Sequence, residues 1–423
     1  MLREPRPSTR ARVPGRRPAA ATVAAALTLT AVAVACSGDG GDPGELDGWR
    51  RGEVRRHHDV ADAFDRVAVD THTDGVAWLT WDHGGSEDLA YWRLDENRRV
   101  RATPLPMPDD PVLIPVALAT DREGWSAVAV TRERANGDNT GMVAWHSRAR
   151  SGPAPVQLGP AAPGLQVPER VSAGRYLDTS VITGVVDGAA VMWVHDPDDA
   201  PEDAGRRDAG SRGARPVRPA RPDLGLDEDL MTLDVAGDGE RLVLAGVDDE
   251  GDAHLWTSTD ARAWDAVTIG ELPAGTGSVR ILGPLGHGEL AIGWLAQGGE
   301  DAPRSGPAAT VQRVTGDDVT TLGAIEADPE AGTTELSVTG ATRSPGGNLV
   351  VVGAVWRPAG VRTPMVWVHD GEGWHASEQP DLAGRLDHEL RAVTTASGRT
   401  MHALVTPFPD HVDVEVWDWR ERE

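Results

Sequence analysis

One pattern recurs seven times along the chain and limits the folds available to it. Each copy has a tight turn, an apolar strand, a polar turn and a second apolar strand. The residues that end the first strand follow one another at intervals of 47 to 62 residues, and they are Thr80, Thr131, Gly184, Gly246, Gly293, Gly353 and Thr406. No segment after residue 46 sustains the 3.6-residue apolar period of a helix. Because a repeat of about 50 residues with several strands is typical of a propeller blade, we predict an all-β, seven-bladed β-propeller, with six or eight blades as the alternatives.

Glycine-containing turn pairs precede the first strand in six of the seven units. These pairs are Asp74-Gly75, Glu123-Gly124, Asp238-Gly239, His287-Gly288, Gly346-Gly347 and Ser397-Gly398. They are mostly the residue types that tight hairpins require. The third unit has Leu177-Asp178 at this place and lacks the glycine.

The second strand of six units carries a tryptophan, and the fifth unit has Val311 near the equivalent place. The tryptophans are Trp92, Trp145, Trp193, Trp256, Trp367 and Trp417. A ring of stacked sheets needs bulky side chains at corresponding positions to fill the space between neighbours. We therefore expect these residues to be core side chains wedged between blades, not ligand-binding residues.

Trp256 opens the sequence Trp256-Thr-Ser258-Thr-Asp260-Ala-Arg-Ala-Trp264. This stretch resembles the Asp-box of sialidase-like (BNR) propellers, a Ser-x-Asp-x-Gly-x-Thr-Trp turn between the third and fourth strands of a blade. Here Ala261 stands where a shortened box has glycine, and Ala263 stands where the box has threonine. The resemblance implies that the Asp260 carboxylate caps backbone N–H groups, that Trp264 packs beneath the turn, and that the turn lies on the outer rim of the ring.

Two looser versions of this turn occur in other units. One begins at Trp367 and includes His369, Asp370 and Trp374, and the other runs from Trp193 through His195 to Asp196. Their repeat positions favour turn residues over metal ligands for both histidines. We expect no metal and no cofactor.

Resemblance to sialidases also implies catalytic motifs that this chain does not contain. An Arg-Ile-Pro motif is absent, and neither of the two tyrosines, Tyr91 and Tyr176, lies in a recognisable nucleophile context. We therefore expect a binding or scaffold module for an envelope protein or a carbohydrate. The alternative is a glycoside hydrolase that uses carboxylates on the inner strands.

Three short polar clusters are the remaining candidates for a site. Asp70 and His72, with Asp74, lie at the end of an inner strand, where they are either part of a ligand pocket or a solvated turn. The acidic run 248–252 suggests either a calcium loop or a hairpin turn, and we expect the turn. The run 57–59 (His-His-Asp) suggests either metal ligands or a strand end, and we expect the strand end.

Two segments bear on how the ring is built. Residues 196–223 are acidic and then rich in Arg and Pro, so they cannot bury a core, and we predict a disordered insertion, with a docking element as the alternative. The last unit ends after its third strand at Trp417. We predict that Trp49–Val60 pairs there as the outer strand of the seventh blade, because an open blade would expose a strand edge.

The N-terminus has the composition of an export signal. Six arginines and one acid lie in the first 17 residues, and residues 19–35 are uncharged. The following Cys36, the only cysteine of the chain, has Ala35 before it and a Gly/Asp/Ser run after it. This arrangement resembles the lipobox of bacterial lipoproteins, although Ala33 stands where Leu is usual. An ordinary secretory signal and an uncleaved anchor are the alternatives, and both the general secretory and the twin-arginine routes remain open.

The expected organisation is a signal peptide at 1–35, a lipidated flexible tether at 36–46 and a propeller at 47–423. The resemblance implies a protein anchored to the extracytoplasmic face of the cell membrane through lipid on Cys36. Removal of residues 1–35, which carry six arginines and one acid, changes the net charge from −25 to −30. So acidic a chain disfavours nucleic acid as a partner. We expect a monomer.

Overall fold

The structure is a computed structural model, and it describes residues 45–46, 49–58, 67–72, 75–82, 88–94, 99–106, 112–121, 123–132, 139–148, 153–159, 168, 170–196, 217–226, 229–270, 272, 275–286, 288–296, 308–327, 333, 335–357, 361–376, 389–396, 399–407 and 411–419. These residues belong to one compact unit, Pro43–Glu423. Within these ranges there is no helix long and apolar enough to cross a bilayer. Cys36 and the rest of the predicted signal lie outside the described residues.

Twenty-eight strands make up the described part of the chain. The first fourteen are β1 Glu45–Leu46, β2 Trp49–His58, β3 Ala68–His72, β4 Gly75–Asp82, β5 Asp88–Leu94, β6 Val100–Pro104, β7 Val112–Thr120, β8 Gly124–Arg132, β9 Asn139–Arg148, β10 Ala154–Leu158, β11 Val171–Tyr176, β12 Thr179–Val186, β13 Ala189–His195 and β14 Leu230–Gly237. The others are β15 Leu242–Asp248, β16 Ala253–Ser258, β17 Asp265–Ala266, β18 Thr276–Gly286, β19 Glu289–Ala296, β20 Ala308–Thr315, β21 Asp318–Glu326, β22 Glu335–Arg343, β23 Leu349–Arg357, β24 Val361–His369, β25 Trp374–Ala376, β26 Glu389–Ala396, β27 Arg399–Pro407 and β28 His411–Trp419.

The strands form seven antiparallel sheets, one for each sequence unit. Blade 1 has the order β3-β4-β5-β6, and blades 2 to 6 begin in the same way at β7, β11, β14, β18 and β22. The first strand of each blade contacts the first strand of the next, and β26 of blade 7 contacts β3 of blade 1. The ring is therefore closed, and the predicted seven-bladed propeller is confirmed.

Blade 7 is completed by the N-terminal part of the propeller. β2 pairs antiparallel with β28, from Trp49 opposite Trp419 to His58 opposite His411. The predicted closing strand is therefore present, and residues 57–58 are its end. The sheet extends further than expected, because Glu45–Leu46, placed in the tether by the sequence, pair with β2.

Seven apolar clusters hold the ring together, one at each interface between neighbouring blades. The repeated tryptophans lie on the third strands and face the preceding blade. Three of them make the same hydrogen bond: Trp145 donates its indole N–H to the carbonyl of Pro106, Trp193 to that of Gly159, and Trp256 to that of Leu224. The repeated tryptophans thus contribute to the apolar clusters between blades.

Blade 5 solves the same packing problem with a different strand. Val311 is buried but contacts blade 6, and Trp294 on the second strand packs against blade 4. Trp294 donates its indole N–H to the Oε1 atom of Gln312 at 2.9 Å, and Gln312 is fully buried. An aromatic side chain thus occupies this interface although the third strand lacks one.

Blade 3 has three strands, and part of the predicted insertion runs along its edge. Ala220 exchanges backbone hydrogen bonds with Met192 of β13. At the end of blade 2, the N–H of Val217 donates to the carbonyl of Gln157, and the carbonyl of Val217 accepts from the N–H of Gly159. The prediction of disorder over 196–223 is therefore wrong for 217–223. Val217 packs against the apolar cluster between blades 2 and 3. Residues 197–216 lie outside the described residues.

The turn that resembles an Asp-box connects the third and fourth strands of blade 4. The Oδ1 atom of Asp260 accepts hydrogen bonds from the backbone N–H groups of Arg262 and Ala263, and these bonds lower the pKa of its carboxyl group. Ala261 has a φ of 61°, which explains why glycine suits this position. Trp264 is half-buried and packs on the cluster between blades 3 and 4.

The corresponding turn of blade 6 repeats this geometry. The Oδ1 atom of Asp370 accepts hydrogen bonds from the N–H groups of Glu372 and Gly373. Trp374 packs on the cluster between blades 5 and 6, and its ring meets that of His369 edge to face. The expectation that these are structural residues fits their contacts.

Candidate functional site

A cavity of about 1660 Å³ lies along the axis of the ring. Its walls are the first strands of all seven blades, and each of these strands ends at a hairpin turn on the same side of the ring, here called the turn face. Eight carboxylates and five guanidinium groups line it: Asp70, Asp121, Glu123, Asp234, Asp238, Glu240, Glu335, Glu389, Arg170, Arg175, Arg280, Arg343 and Arg391. The described lining is therefore polar with an excess of negative charge.

Asp70 lies midway along β3, in the wall of the cavity, as the sequence predicts for a pocket residue. Its Oδ2 atom accepts hydrogen bonds from the backbone N–H of Thr120 at 2.6 Å and from the Thr120 hydroxyl at 3.0 Å. Burial raises the pKa of Asp70 to about 6, although the hydrogen bonds from Thr71 and Thr120 oppose that rise. Asp70 thus joins blades 1 and 2, and its burial favours the uncharged form of the carboxyl group.

The other predicted pocket residue, His72, ends β3, and its side chain lies outside the described part of the structure, as does Asp74. The acidic run 248–252 forms the hairpin turn between β15 and β16, as expected, with Asp248 accepting backbone hydrogen bonds within the turn. Among the described residues, no three His, Cys, Asp or Glu side chains cluster in a way that would hold a metal.

The two tyrosines take different places. Tyr91 is buried and stacks on Trp125 between blades 1 and 2, with ring centroids 4.3 Å apart, and burial raises the pKa of its hydroxyl. It is therefore a core residue. Tyr176 ends β11 and lines the cavity.

Arg175 is the centre of a polar cluster between blades 2 and 3. Its Nε atom donates to the Oδ2 atom of Asp121 at 3.1 Å, and one of its NH groups donates to the hydroxyls of Ser126 and Ser180 at 3.0 and 3.2 Å. Gly237 of the next blade lies against it, and a Cβ atom there would overlap the carbonyl oxygen of Arg175. Glycine is therefore required where the inner strands of blades 3 and 4 meet.

The same two hydroxyls surround a histidine. The Nδ1 atom of His146 lies 3.0 Å from the oxygen atoms of both Ser126 and Ser180, which are themselves 2.5 Å apart. Because Arg175 donates to both oxygens, their O–H groups are left to donate, one to the other hydroxyl and one to Nδ1. Burial lowers the pKa of His146 well below its usual value, and His195, stacked on it at 4.1 Å, and Arg175 lower it further. His146 is therefore neutral.

Other cavity carboxylates also connect blades. Asp234 accepts a hydrogen bond from Ser172 of blade 3 and another from the N–H of Ile281 of blade 5. In blade 7, the guanidinium group of Arg391 donates hydrogen bonds to the Oε2 atom of Glu389 at 3.0 Å and to the carbonyl of Val67 in blade 1 at 2.9 Å. These groups hold the walls in place, and they are dispersed around the ring.

Two cavity guanidinium groups, those of Arg170 and Arg280, differ from these because they are exposed. Arg280, near the middle of β18, is exposed in the cavity wall. Its side chain therefore faces the space that a ligand would occupy.

The sequence analysis missed Arg175, Ser126, Ser180 and His146. The sequence does carry a partial signal for Asp121, because an aspartate, Asp238, starts the equivalent turn two units later. In the structure, both carboxylates accept hydrogen bonds from the N–H groups of the second and third residues after them. Aspartate at that place is typical of a turn-capping residue.

No protein-family model matches the chain, and no curated protein matches it. Among solved structures it is similar to an ancestral GH74 enzyme, with a TM-score of 0.47 and 11% identity over 86% of this chain and 48% of that one. It is also similar to Trypanosoma rangeli sialidase in complex with 2,3-difluorosialic acid, with a TM-score of 0.44 and 10% identity over 88% of this chain and 58% of that one. The chain thus spans about half the length of these two proteins.

A third similar structure is the lectin of the fungus Aleuria aurantia, described as a six-bladed β-propeller with fucose recognition. Its TM-score is 0.38, with 13% identity over 76% of this chain and 96% of that one. At such low identities, the ligand and activity of this chain must be argued from its own residues.

Proposed function

We propose that this protein is a binding module of the cell envelope, anchored by lipid on Cys36 at the extracytoplasmic face of the membrane, and that a carbohydrate binds in its axial cavity. The observation that carries the proposal is the polar cavity itself. Carboxylate, guanidinium and hydroxyl groups are the donors and acceptors that sugar hydroxyls require. The volume of 1660 Å³ exceeds the roughly 300–1,000 Å³ of a pocket for one small ligand, which leaves room for several sugar rings.

Binding is favoured over catalysis by the way the charged groups are used. Among the described lining residues, Asp70, Arg175 and Asp234 each hold neighbouring blades together, and they do not converge with a nucleophile on one point. The negative excess of the cavity and the net charge of −25 also disfavour polyanionic ligands.

A screen of the full chain, purified in detergent, against a glycan array tests the proposal. We expect a defined set of oligosaccharides to bind and Arg280→Ala to weaken binding, because Arg280 is exposed to the cavity. Arg101→Ala is the matched control, since Arg101 is exposed on β6, the outermost strand of blade 1. Equal binding by both variants, or no bound glycan, would contradict a cavity site for carbohydrate.

The anchor is tested separately with Cys36→Ala. We expect the unaltered protein to partition into detergent with the membrane fraction, because two acyl chains hold a protein stably at about 0.8 kcal/mol per buried CH₂. The variant should be released or remain an uncleaved precursor. Unchanged processing and membrane association in the variant would exclude the hypothesis that the protein is a lipoprotein.

Glycoside hydrolysis is the second candidate, and the raised pKa of Asp70, about 6, is the observation in its favour. A carboxyl group with a pKa raised towards neutrality keeps part of its population protonated near pH 6, which suits a general acid. If the protein is a hydrolase, it should release reducing ends from bound oligosaccharides, and Asp70→Asn should abolish that release. Intact oligosaccharides after prolonged incubation with the full chain would rule this candidate out.

A further inference from the structure

The inner turn of blade 3 breaks the rule that the other six blades follow. Where they have a glycine-containing pair, this turn has Leu177-Asp178, and the φ of 52° at Leu177 lies in the left-handed region that disfavours a bulky side chain. Leu177 is 54% exposed, and it lines the cavity at the turn face. The chain thus keeps an apolar side chain, in a disfavoured conformation, at the rim of the cavity.

Several contacts hold this turn in place. The carbonyl of Leu177 accepts a hydrogen bond from the guanidinium group of Arg175 at 3.3 Å, and Arg175 is itself fixed by Asp121. The next residue, Asp178, forms an ion pair with Arg148 at 3.2 Å. Because the turn is anchored on both sides, the backbone that carries the Leu177 side chain is held in place. Pre-ordered contact residues reduce the entropy cost of binding.

The turns on either side of Leu177 carry negative charge. Glu123 in blade 2 and Glu240 in blade 4 occupy the corresponding turns, and both are exposed and line the cavity. A ligand that contacts Leu177 therefore passes between two carboxylates. They raise the local concentration of cations and repel anions.

We propose that Leu177 is the apolar contact of the carbohydrate site, against which the hydrophobic face of a sugar ring packs. Glu123 and Glu240 make the site prefer uncharged or amine-bearing sugars to carboxylated ones. This inference rests on the proposed carbohydrate function of the cavity and assigns its specificity.

The decisive variant is Leu177→Gly, because it should weaken binding without lowering folding stability. Glycine accepts the left-handed conformation, so the melting temperature of the full chain should stay equal or rise. Loss of the leucine contact should weaken oligosaccharide binding about tenfold or more. Leu177→Asn, which also tolerates this conformation but is polar, should weaken binding to a similar extent.

Two matched controls separate loss of the Leu177 contact from relief of backbone strain and from loss of exposed apolar surface. Asp187→Gly relieves a φ of 50° at the β12–β13 turn of the same blade, outside the described cavity lining. Met231→Ala removes the other large apolar side chain that is exposed among the described residues. Both variants should bind as the unaltered protein does. If Leu177→Gly also binds unchanged, the assignment of Leu177 is overturned.

Charge selection is measured as the dissociation constants of three tetrasaccharides, which are built from N-acetylglucosamine, from its deacetylated amine form and from galacturonate. We expect the neutral and amine forms to bind at least about tenfold more tightly than the carboxylated form, and Glu123→Gln with Glu240→Gln to narrow that difference. Equal or tighter binding of galacturonate would overturn the inferred specificity but leave carbohydrate binding intact. If neither these sugars nor any array glycan binds, the proposed function itself fails and the inference fails with it.

Discussion

Arg175 and Asp121 join the cavity wall to the interior of the ring, with 3.1 Å between Nε and Oδ2. The arginine side chain is 2% exposed, whereas that of the aspartate is 24% exposed and faces the cavity. Since the same guanidinium group also binds Ser126 and Ser180, one cation satisfies polar groups on both blades 2 and 3. The cluster thus ties the inner strand of blade 3 to blade 2.

Replacement of Arg175 by methionine should destabilise the protein by about 3 kcal/mol. The substitution removes the guanidinium group that donates to a partly buried carboxylate and to two buried hydroxyls, and such losses are costly. Urea unfolding at pH 7 measures the effect. Arg148→Gln is the control, because the Arg148–Asp178 pair is exposed and should contribute less than about 0.5 kcal/mol. Similar losses for both variants would contradict a special role for Arg175.

Most of the fold could be predicted from the sequence, because each blade repeats the same local solution. Turn pairs such as Glu123-Gly124 and the third-strand tryptophans recur at intervals that only stacked units of one kind explain. The closing strand from Trp49 was predictable for a related reason, since the last unit stops at its third strand. An unpaired edge in a closed ring requires a partner from elsewhere in the chain.

The polar contacts of the site could not be predicted in this way. Arg175 and Asp121 are 54 residues apart, and their contact occurs at one interface of seven, so the repeat carries no signal for it. The side chains of neighbouring inner strands meet only through the exact stacking of two sheets, which periodicity does not define. Asp70 was found because its cluster of polar residues ends an inner strand. Residues 217–223 were misjudged because composition alone hid their edge pairing.

Asp70 should make the protein less stable as the pH rises from 4 to 7. Its pKa of about 6 in the folded state lies above the usual 3.8, so the folded state holds the proton more tightly. Stability is therefore present below pH 4 and is lost as the pH rises through 6, by about 2 kcal/mol. Asp70→Asn should remove this slope, because asparagine resembles the protonated acid. Parallel stability curves for both proteins, measured by urea unfolding from pH 4 to 7, would contradict the prediction.

His146 should have the opposite effect. Burial lowers its pKa in the folded state, so stability is fully present above about pH 6.5 and is lost as the pH falls below that value. Stability should therefore be lower at pH 5 than at pH 7 in urea unfolding, since the unfolded chain binds a proton that the folded chain disfavours. Phenylalanine at position 146 should flatten this part of the curve. The control is His375→Gln, which removes a histidine that is 64% exposed and should leave the loss of stability on acidification in place.

Removal of the closing strand should cost far more than removal of the residues before it. A chain that begins after Asp62 lacks β2, which pairs with β28 at eight positions, and it exposes the edge of blade 7. At about 0.5–1.5 kcal/mol for each hydrogen bond lost, the destabilisation should amount to several kcal/mol. A chain that begins at Glu45 keeps both β1 and β2 and should have the same melting temperature as the unaltered protein. Thermal unfolding of the two shortened chains decides the matter: if they melt at the same temperature, the ring does not depend on β2, and blade 7 is stable with the three strands β26, β27 and β28.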